Sequence, residues 1–262
     1  GNENGPNFLF RNRGDGTFEE IAGRVGIGDP FEHVRGIAAL DANNDGRFDL
    51  VYGNWEGPHR MFVQSSDGHW DDIAPPAMAA PSRIRTVIAA DFDNDGYEEL
   101  FFNNIGQPNR LFKQFRGDWQ QVSAGAALEP NGLGTGAAVA DLDGDGRLEL
   151  LIAHGENYPQ PLALYHAPDH DHGWLRVQPL TRYGAPARGA IVTLAGKNRT
   201  QRRVIDAGSG YLCQMEPVAH FGLGAEADIL YVEVRYPDGM TTRIDQPAPR
   251  QVLRVPYPAG AA

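Results

Sequence analysis

Asp91-Phe92-Asp93-Asn94-Asp95-Gly96-Tyr97-Glu98-Glu99 decides the reading of this chain, because the same pattern occurs three times. The other copies are Asp41-Ala42-Asn43-Asn44-Asp45-Gly46-Arg47-Phe48-Asp49 and Asp141-Leu142-Asp143-Gly144-Asp145-Gly146-Arg147-Leu148-Glu149, so the repeat interval is 50 residues. Each copy puts oxygen-bearing side chains at loop positions one, three, five and nine, with Gly at six. These are Asp41, Asn43, Asp45 and Asp49, then Asp91, Asp93, Asp95 and Glu99, then Asp141, Asp143, Asp145 and Glu149. Arg47, Tyr97 and Arg147, at position seven, complete the candidate metal set. Alternating carboxylates on a tight loop converge on one point, and Gly allows the sharp turn. A hard cation takes six to eight oxygens at roughly 2.3–2.6 Å, some of them backbone carbonyls. The pattern predicts Ca²⁺, with up to three ions in the chain.

An EF-hand opens in the same way but needs a Glu at loop position twelve and flanking helices. Position twelve is Tyr52, Phe102 and Ile152 here, and the flanks read as strands, such as Val87-Ile88-Ala89-Ala90 before the loop and Leu100-Phe101-Phe102 after it. A bare Asp/Asn/Gly turn without an ion is the plainer alternative for one copy. Three copies in register argue against it.

The chain has 262 residues, enough for one large or two ordinary domains. Its net charge is −11, and the ligating positions alone carry 11 carboxylates, three in the first loop and four in each of the others. Three calcium ions would bring the charge to −5, so much of the acidity is metal-site acidity and nucleic acid is not expected as a partner. No apolar run is long enough for a membrane span. The single cysteine, Cys213, rules out an internal disulfide and reads as a buried thiol. No initiator Met and no signal peptide are present, and the opening in mid-pattern reads as a mature or truncated piece of something longer.

The fifty-residue period extends beyond the loops. Arg60-Met61-Phe62-Val63 and Trp70-Asp71-Asp72-Ile73 form a hairpin, repeated at Arg110-Leu111-Phe112 with Trp119-Gln120-Gln121-Val122, and at Phe8-Leu9-Phe10 with Phe18-Glu19-Glu20-Ile21. Four short strands per repeat is the signature of a β-propeller blade. The count, between three and four blades over residues 1–166, gives a partial propeller with open edge strands and an expectation of self-association through them. The period stops near His166-Ala167-Pro168-Asp169-His170-Asp171-His172-Gly173, which reads as a solvated linker in preference to a zinc site. Residues 174–258 carry alternating runs such as Tyr231-Val232-Glu233-Val234-Arg235-Tyr236, and predict a small β-sandwich. The fold class is therefore all-β.

The Asp-x-Asp-x-Asp-Gly-x-x-Asp/Glu loops between strands resemble FG-GAP (VCBS-type) repeats, which build integrin-like propellers. Residues 208–224, Gly-Ser-Gly-Tyr-Leu-Cys-Gln-Met-Glu-Pro-Val-Ala-His-Phe-Gly-Leu-Gly, resemble the UnbV/ASPIC signature. Together with the opening Asn2-Glu3-Asn4-Gly5-Pro6-Asn7-Phe8-Leu9-Phe10, they resemble the cartilage acidic protein family over nearly the whole chain. The resemblance implies secretion, calcium binding and extracellular interaction without catalysis. Earlier propeller repeats of the family are missing here, and so is the cysteine-rich module of its animal members.

No catalytic constellation emerges. Ser209 is not in a Gly-x-Ser-x-Gly elbow, and His220, between Ala219 and Phe221, reads as a structural histidine. The expected function is a secreted, calcium-binding, non-catalytic interaction module whose partner is an extracellular protein or a glycan. Two other readings stand beside it. One is a lectin-like module with Trp55 as the sugar platform, since Trp70 and Trp119 fall in blade-core register. The other is an accessory region of a larger secreted hydrolase. The triplets Arg13-Gly14-Asp15 and Arg116-Gly117-Asp118 sit at hairpin turns, where turn chemistry accounts for them. Asn198-Arg199-Thr200 is an N-glycosylation sequon.

Overall fold

A computed structural model describes residues 1–156, 158–167, 169–206, 211–225 and 228–259. A first hairpin, β1 (Phe10–Asn12) and β2 (Phe18–Glu20), runs through the single turn α1 (Ala22–Val25) into a four-stranded antiparallel sheet. That sheet is β3 (Val34–Leu40), β4 (Asp49–Asn54), β5 (Arg60–Gln64) and β6 (Trp70–Asp72), in sequence order. After the turn α2 (Pro76–Ala79) the plan repeats as β7 (Ile84–Ala90), β8 (Glu99–Asn104), β9 (Arg110–Phe115) and β10 (Asp118–Val122). The next blade has β11 (Gly134–Ala140), β12 (Glu149–His154) and β13 (Ala163–His166). These are the expected blades, in an open partial propeller.

Burial follows the blade plan. In β8 all six residues are buried. Leu100 and Phe102 pack toward the preceding blade, while Phe101 packs toward the following one. A strand sandwiched on both faces needs such a continuous apolar run. Phe101, Phe102 and Phe112 are almost wholly enclosed, each adding about 1.5–3 kcal/mol of burial. Trp119 lies in the core shared by the β3–β6 and β7–β10 sheets, and Trp70 packs against the core before it. Their register-mate Phe18 is 60% exposed on the outermost hairpin. The inner strands β3, β7 and β11 lie side by side. At Gly36 the contact is so close that a Cβ would come 2.7 Å from the Val87 nitrogen.

A second motif repeats between strands two and three of each four-stranded blade. Asn54 Nδ2 donates to the Pro58 carbonyl and Asn104 Nδ2 to that of Pro108, at 2.7 and 2.6 Å. The ring nitrogen of His59 and the amide oxygen of Asn109 then accept from the backbone N–H of Asn54 and Asn104. Asn2, Pro6 and Asn7 make the same pair of bonds at the start of the chain.

The remaining strands form two facing sheets. One is β14 (Gly173–Pro179) between β17 (Ala219–Gly224) and β20 (Val252–Val255). The other is β15 (Ile191–Gly196) between β16 (Thr200–Val204) and β18 (Ile229–Arg235), with β19 (Thr241–Asp245) outside β18. Their inner faces share one core, including Leu175, Val192, Phe221, Val232 and Val255. This is the expected β-sandwich.

Candidate metal centre

Each candidate loop closes the hairpin between the first two strands of a blade. Position nine pairs with the residue before position one, as Leu40 with Asp49, Ala90 with Glu99 and Ala140 with Glu149. Gly46, Gly96 and Gly146 all have φ between 85° and 91°, so Gly at position six is needed for its backbone. Position four also turns left-handed, with Asn44 at 57°, Asn94 at 53° and Gly144 at 81°. The position-one carboxylates hold this turn: Gly46, Gly96 and Gly146 each donate a backbone N–H to Asp41, Asp91 and Asp141 respectively. From position nine, Asp49, Glu99 and Glu149 accept from Ala42, Phe92 and Leu142.

In the second and third loops three carboxylates converge. One oxygen from each of Asp91, Asp93 and Glu99 lies within 4.8 Å of the others, and the same holds for Asp141, Asp143 and Glu149. The first loop brings Asp41 and Asp49 to the same register positions, with the amide of Asn43 where the others have a carboxylate. Position-five carboxylates are partly engaged: Arg47 pairs with Asp45 and Arg147 with Asp145. Tyr97, at position seven of the second loop, has an exposed side chain.

Electrostatics fit a cation. Burial pushes Asp91 up to about 7 and Asp49 up to about 6. Glu99 rises to about 8, from burial first and then from the neighbouring Asp91 and Asp93. Asp91 Oδ1 is enclosed without a hydrogen-bond partner. Hard oxygen donors, a buried carboxylate oxygen left over and like charges held together are what a cation compensates. The second loop also holds an ammonium. Lys113 Nζ, from β9, contacts Asp93 and lies 2.8 Å from Asp95 Oδ2 and 3.1 Å from Glu99 Oε1. Burial pulls this lysine down, but its three carboxylate partners outweigh that and raise it.

The loops are also where the sandwich meets the propeller, a contact sequence reasoning missed. Gly222 N–H donates to Asp91 Oδ2 at 3.0 Å, and Arg176 Nη1 donates to Asp141 Oδ2 at 3.1 Å. Arg199 donates to the Asp95 carbonyl and Arg202 to that of Gly46. Gly224 N–H donates to the Asn94 carbonyl, and His172 to that of Asp93. Asn94 joins the second and third loops through the Gly146 carbonyl and accepts from His220 Nε2 at 2.6 Å. Burial drives His220 down to about 3, so the ring is neutral and structural. Arg203 pairs with Glu98 at 3.2 Å.

The other residues singled out in the sequence lie elsewhere. Trp55 is half-buried, with the Arg85 guanidinium 4.4 Å from its ring centre and Tyr211 beyond that arginine. Cys213 is half-buried, 3.9 Å from Thr86 Oγ1, and burial raises its thiol. Tyr211, Cys213 and Met215 face the inner strands while Leu212 is exposed. Gly208, Ser209 and Gly210 lie outside the described residues, as does Pro168. In the linker region, His166 approaches Glu149 at 3.2 Å and Asp169 pairs with Arg147. Both Arg-Gly-Asp triplets occupy exposed turns. Asp15 is tied to Thr17, and Arg116 and Gly117 form the β9–β10 turn with positive φ. Asn198 is exposed between β15 and β16. No helix among the described residues is long and apolar enough to cross a membrane.

Comparison with known proteins agrees with this architecture. Residues 1–52, 41–102 and 91–152 match the FG-GAP-like repeat, the first match ending just past the first loop and the other two each running from one loop through the next. Residues 181–262 match the ASPIC and UnbV family. The chain is 50% identical over 273 residues to cartilage acidic protein 1 of Homo sapiens, across 98% of this chain and 41% of that protein. The Mus musculus and Xenopus tropicalis proteins of that name are 50% and 49% identical, again over 98% of this chain. The chain thus spans about two fifths of the length of these relatives. With FG-GAP-like repeats leading into an ASPIC and UnbV domain, the chain belongs to the cartilage acidic protein family.

Proposed function

We propose that this chain is an extracellular, non-catalytic, adhesion-type module in which calcium is structural. In this reading the loops are the joint between a propeller unit, residues 1–166, and a sandwich unit, residues 174–258. One observation carries it: the position-one carboxylates of the second and third loops, Asp91 and Asp141, also receive Gly222 and Arg176 of the sandwich. A bound ion would supply positive charge to a cluster whose mutual repulsion opposes the fold. Asp141, Asp143 and Glu149 would hold it in the third loop, and Asp41, Asn43, Asp45 and Asp49 in the first, with position-seven carbonyls completing the set. The sandwich residues keep the loops in their ligating shape, gripping backbone carbonyls from outside.

A ligand that binds only the folded state stabilises it by about 2.7 kcal/mol when present at 100 times its Kd. The loops join strands of one sheet, with no helix pair to swing open, so calcium loss loosens the fold without creating a second compact state. Thermal unfolding and limited proteolysis in millimolar calcium against chelator test this. A lower melting temperature and faster cleavage in chelator are expected, and identical behaviour in both would refute the reading. The partner is a protein or glycan outside the cell. Trp55 is a poor sugar platform, because Arg85 lies over its ring.

A further inference from the structure

The three loops share one sequence pattern but not one surrounding. The third strand of each blade runs beside its loop, and its register is fixed: Leu50 pairs with Phe62, Leu100 with Phe112 and Leu150 with Tyr165. The next residue along that strand is Val63 in the first blade, Lys113 in the second and His166 in the third. Only the second loop therefore receives a fixed positive charge from this position of its own blade. Lys113 Nζ contacts Asp93 and lies 2.8 Å from Asp95 Oδ2 and 3.1 Å from Glu99 Oε1, three of the side chains at that loop's ligating positions. Its side chain is 16% exposed, so the ammonium is drawn in among the carboxylates and does not sit at the rim.

We propose that Lys113 is the resident cation of the second loop, standing where calcium stands in the first and third. The loop then keeps its shape without an ion, and the chain takes calcium at two loops instead of three. The chemistry is that of one cation site filled by another cation. An ammonium offers three N–H donors to carboxylate oxygens, and its charge and volume exclude a divalent ion from the same oxygens. Asp91, at the centre of the joint with Gly222, would thereby hold its position at any calcium concentration.

This inference rests on calcium binding by the other loops, and its test separates the two claims. Calcium is titrated by calorimetry into chelator-stripped wild type, Lys113→Met and Val63→Lys, with the unfolding temperature of each recorded in calcium and in chelator. The wild type should bind two ions, Lys113→Met three, and Val63→Lys one, because the transplanted lysine takes the first loop. Lys113→Met should also melt lower than wild type in chelator and recover in calcium. Equal stoichiometry in wild type and Lys113→Met would overturn the role of Lys113 while leaving calcium binding intact. Should Lys113→Met not fold, an unchanged ion count in Val63→Lys overturns it. No calcium uptake by any of the three proteins overturns both claims together.

Discussion

Gly222 and Asp91 meet across the joint: the glycine N–H donates to Asp91 Oδ2 at 3.0 Å, and the same oxygen accepts from Gly96 at 2.7 Å. One carboxylate of a calcium-type loop thus shapes its own turn and anchors a strand more than a hundred residues away. A Cβ at position 222 would fall 2.2 Å from that oxygen and 2.4 Å from the Asn94 backbone. Gly222→Ala should therefore wedge the joint, costing about 1–3 kcal/mol as overpacking does. Urea unfolding would measure the loss, and proteolysis between the two units should accelerate.

Arg176 is the matching anchor on the third loop. Its side chain is 6% exposed and that of Asp141 is fully enclosed, 3.1 Å away, with Glu216 on the other side. Removing one partner of a buried ion pair costs about 3–5 kcal/mol, because the other charge is stranded. Arg176→Ala should show a loss of that size in chelator and a smaller one in calcium, where the ion still neutralises Asp141. Melting curves of the variant in both conditions check this.

Carboxylate count should order the first and third loops. Asp143 belongs to a converging cluster with Asp141 and Glu149, whereas the first loop has Asn43 at the same position. Asp143→Ala should lower the melting temperature in calcium more than Asn43→Ala does. In chelator the order should vanish or reverse, since removing Asp143 relieves repulsion.

Acid sensitivity should come in part from His59. The ring is enclosed, accepting from Asn54 N–H and donating to Ser82 Oγ at 2.9 Å, and burial followed by nearby Arg110 lowers it from 6.5 to about 3. A depressed histidine contributes its full stability above pH 6.5. Below that the unfolded chain takes up a proton that the folded one refuses, so stability falls toward pH 3 by up to about 1.4 kcal/mol per pH unit. His59→Asn, copying Asn109 of the next blade, should cost some stability at pH 7.5 through the lost Ser82 bond. It should also flatten the decline between pH 6 and 4. An unchanged slope in urea titrations across that range would count against it.

The blades were legible because they are local. Period-two burial, Gly at loop position six and aromatic residues at 70 and 119 are all written within one fifty-residue unit. The joint was not legible. Arg176, Arg199 and Arg202 are ordinary strand and turn residues until β14, β16 and β17 are laid against loops 35 to 156 positions away. Lys113 was equally silent, since a lysine in a half-exposed strand needs no explanation until the register with Val63 and His166 is known. The repeated Asn-to-Pro turn could have been found, as Asn54…Pro58-His59 and Asn104…Pro108-Asn109 share one spacing. Its signal was the fifty-residue period itself, followed one loop further along each blade.

Hydrogen exchange of the intact chain, followed by mass spectrometry in millimolar calcium and in chelator, tests the central claim most directly. Calcium ordering the loops as a joint predicts slower exchange in peptides covering residues 41–49 and 141–149 and, beyond the loops, in 174–179 and 200–204 of the sandwich, which hold Arg176 and Arg202. Identical exchange in all four regions under both conditions would contradict the account.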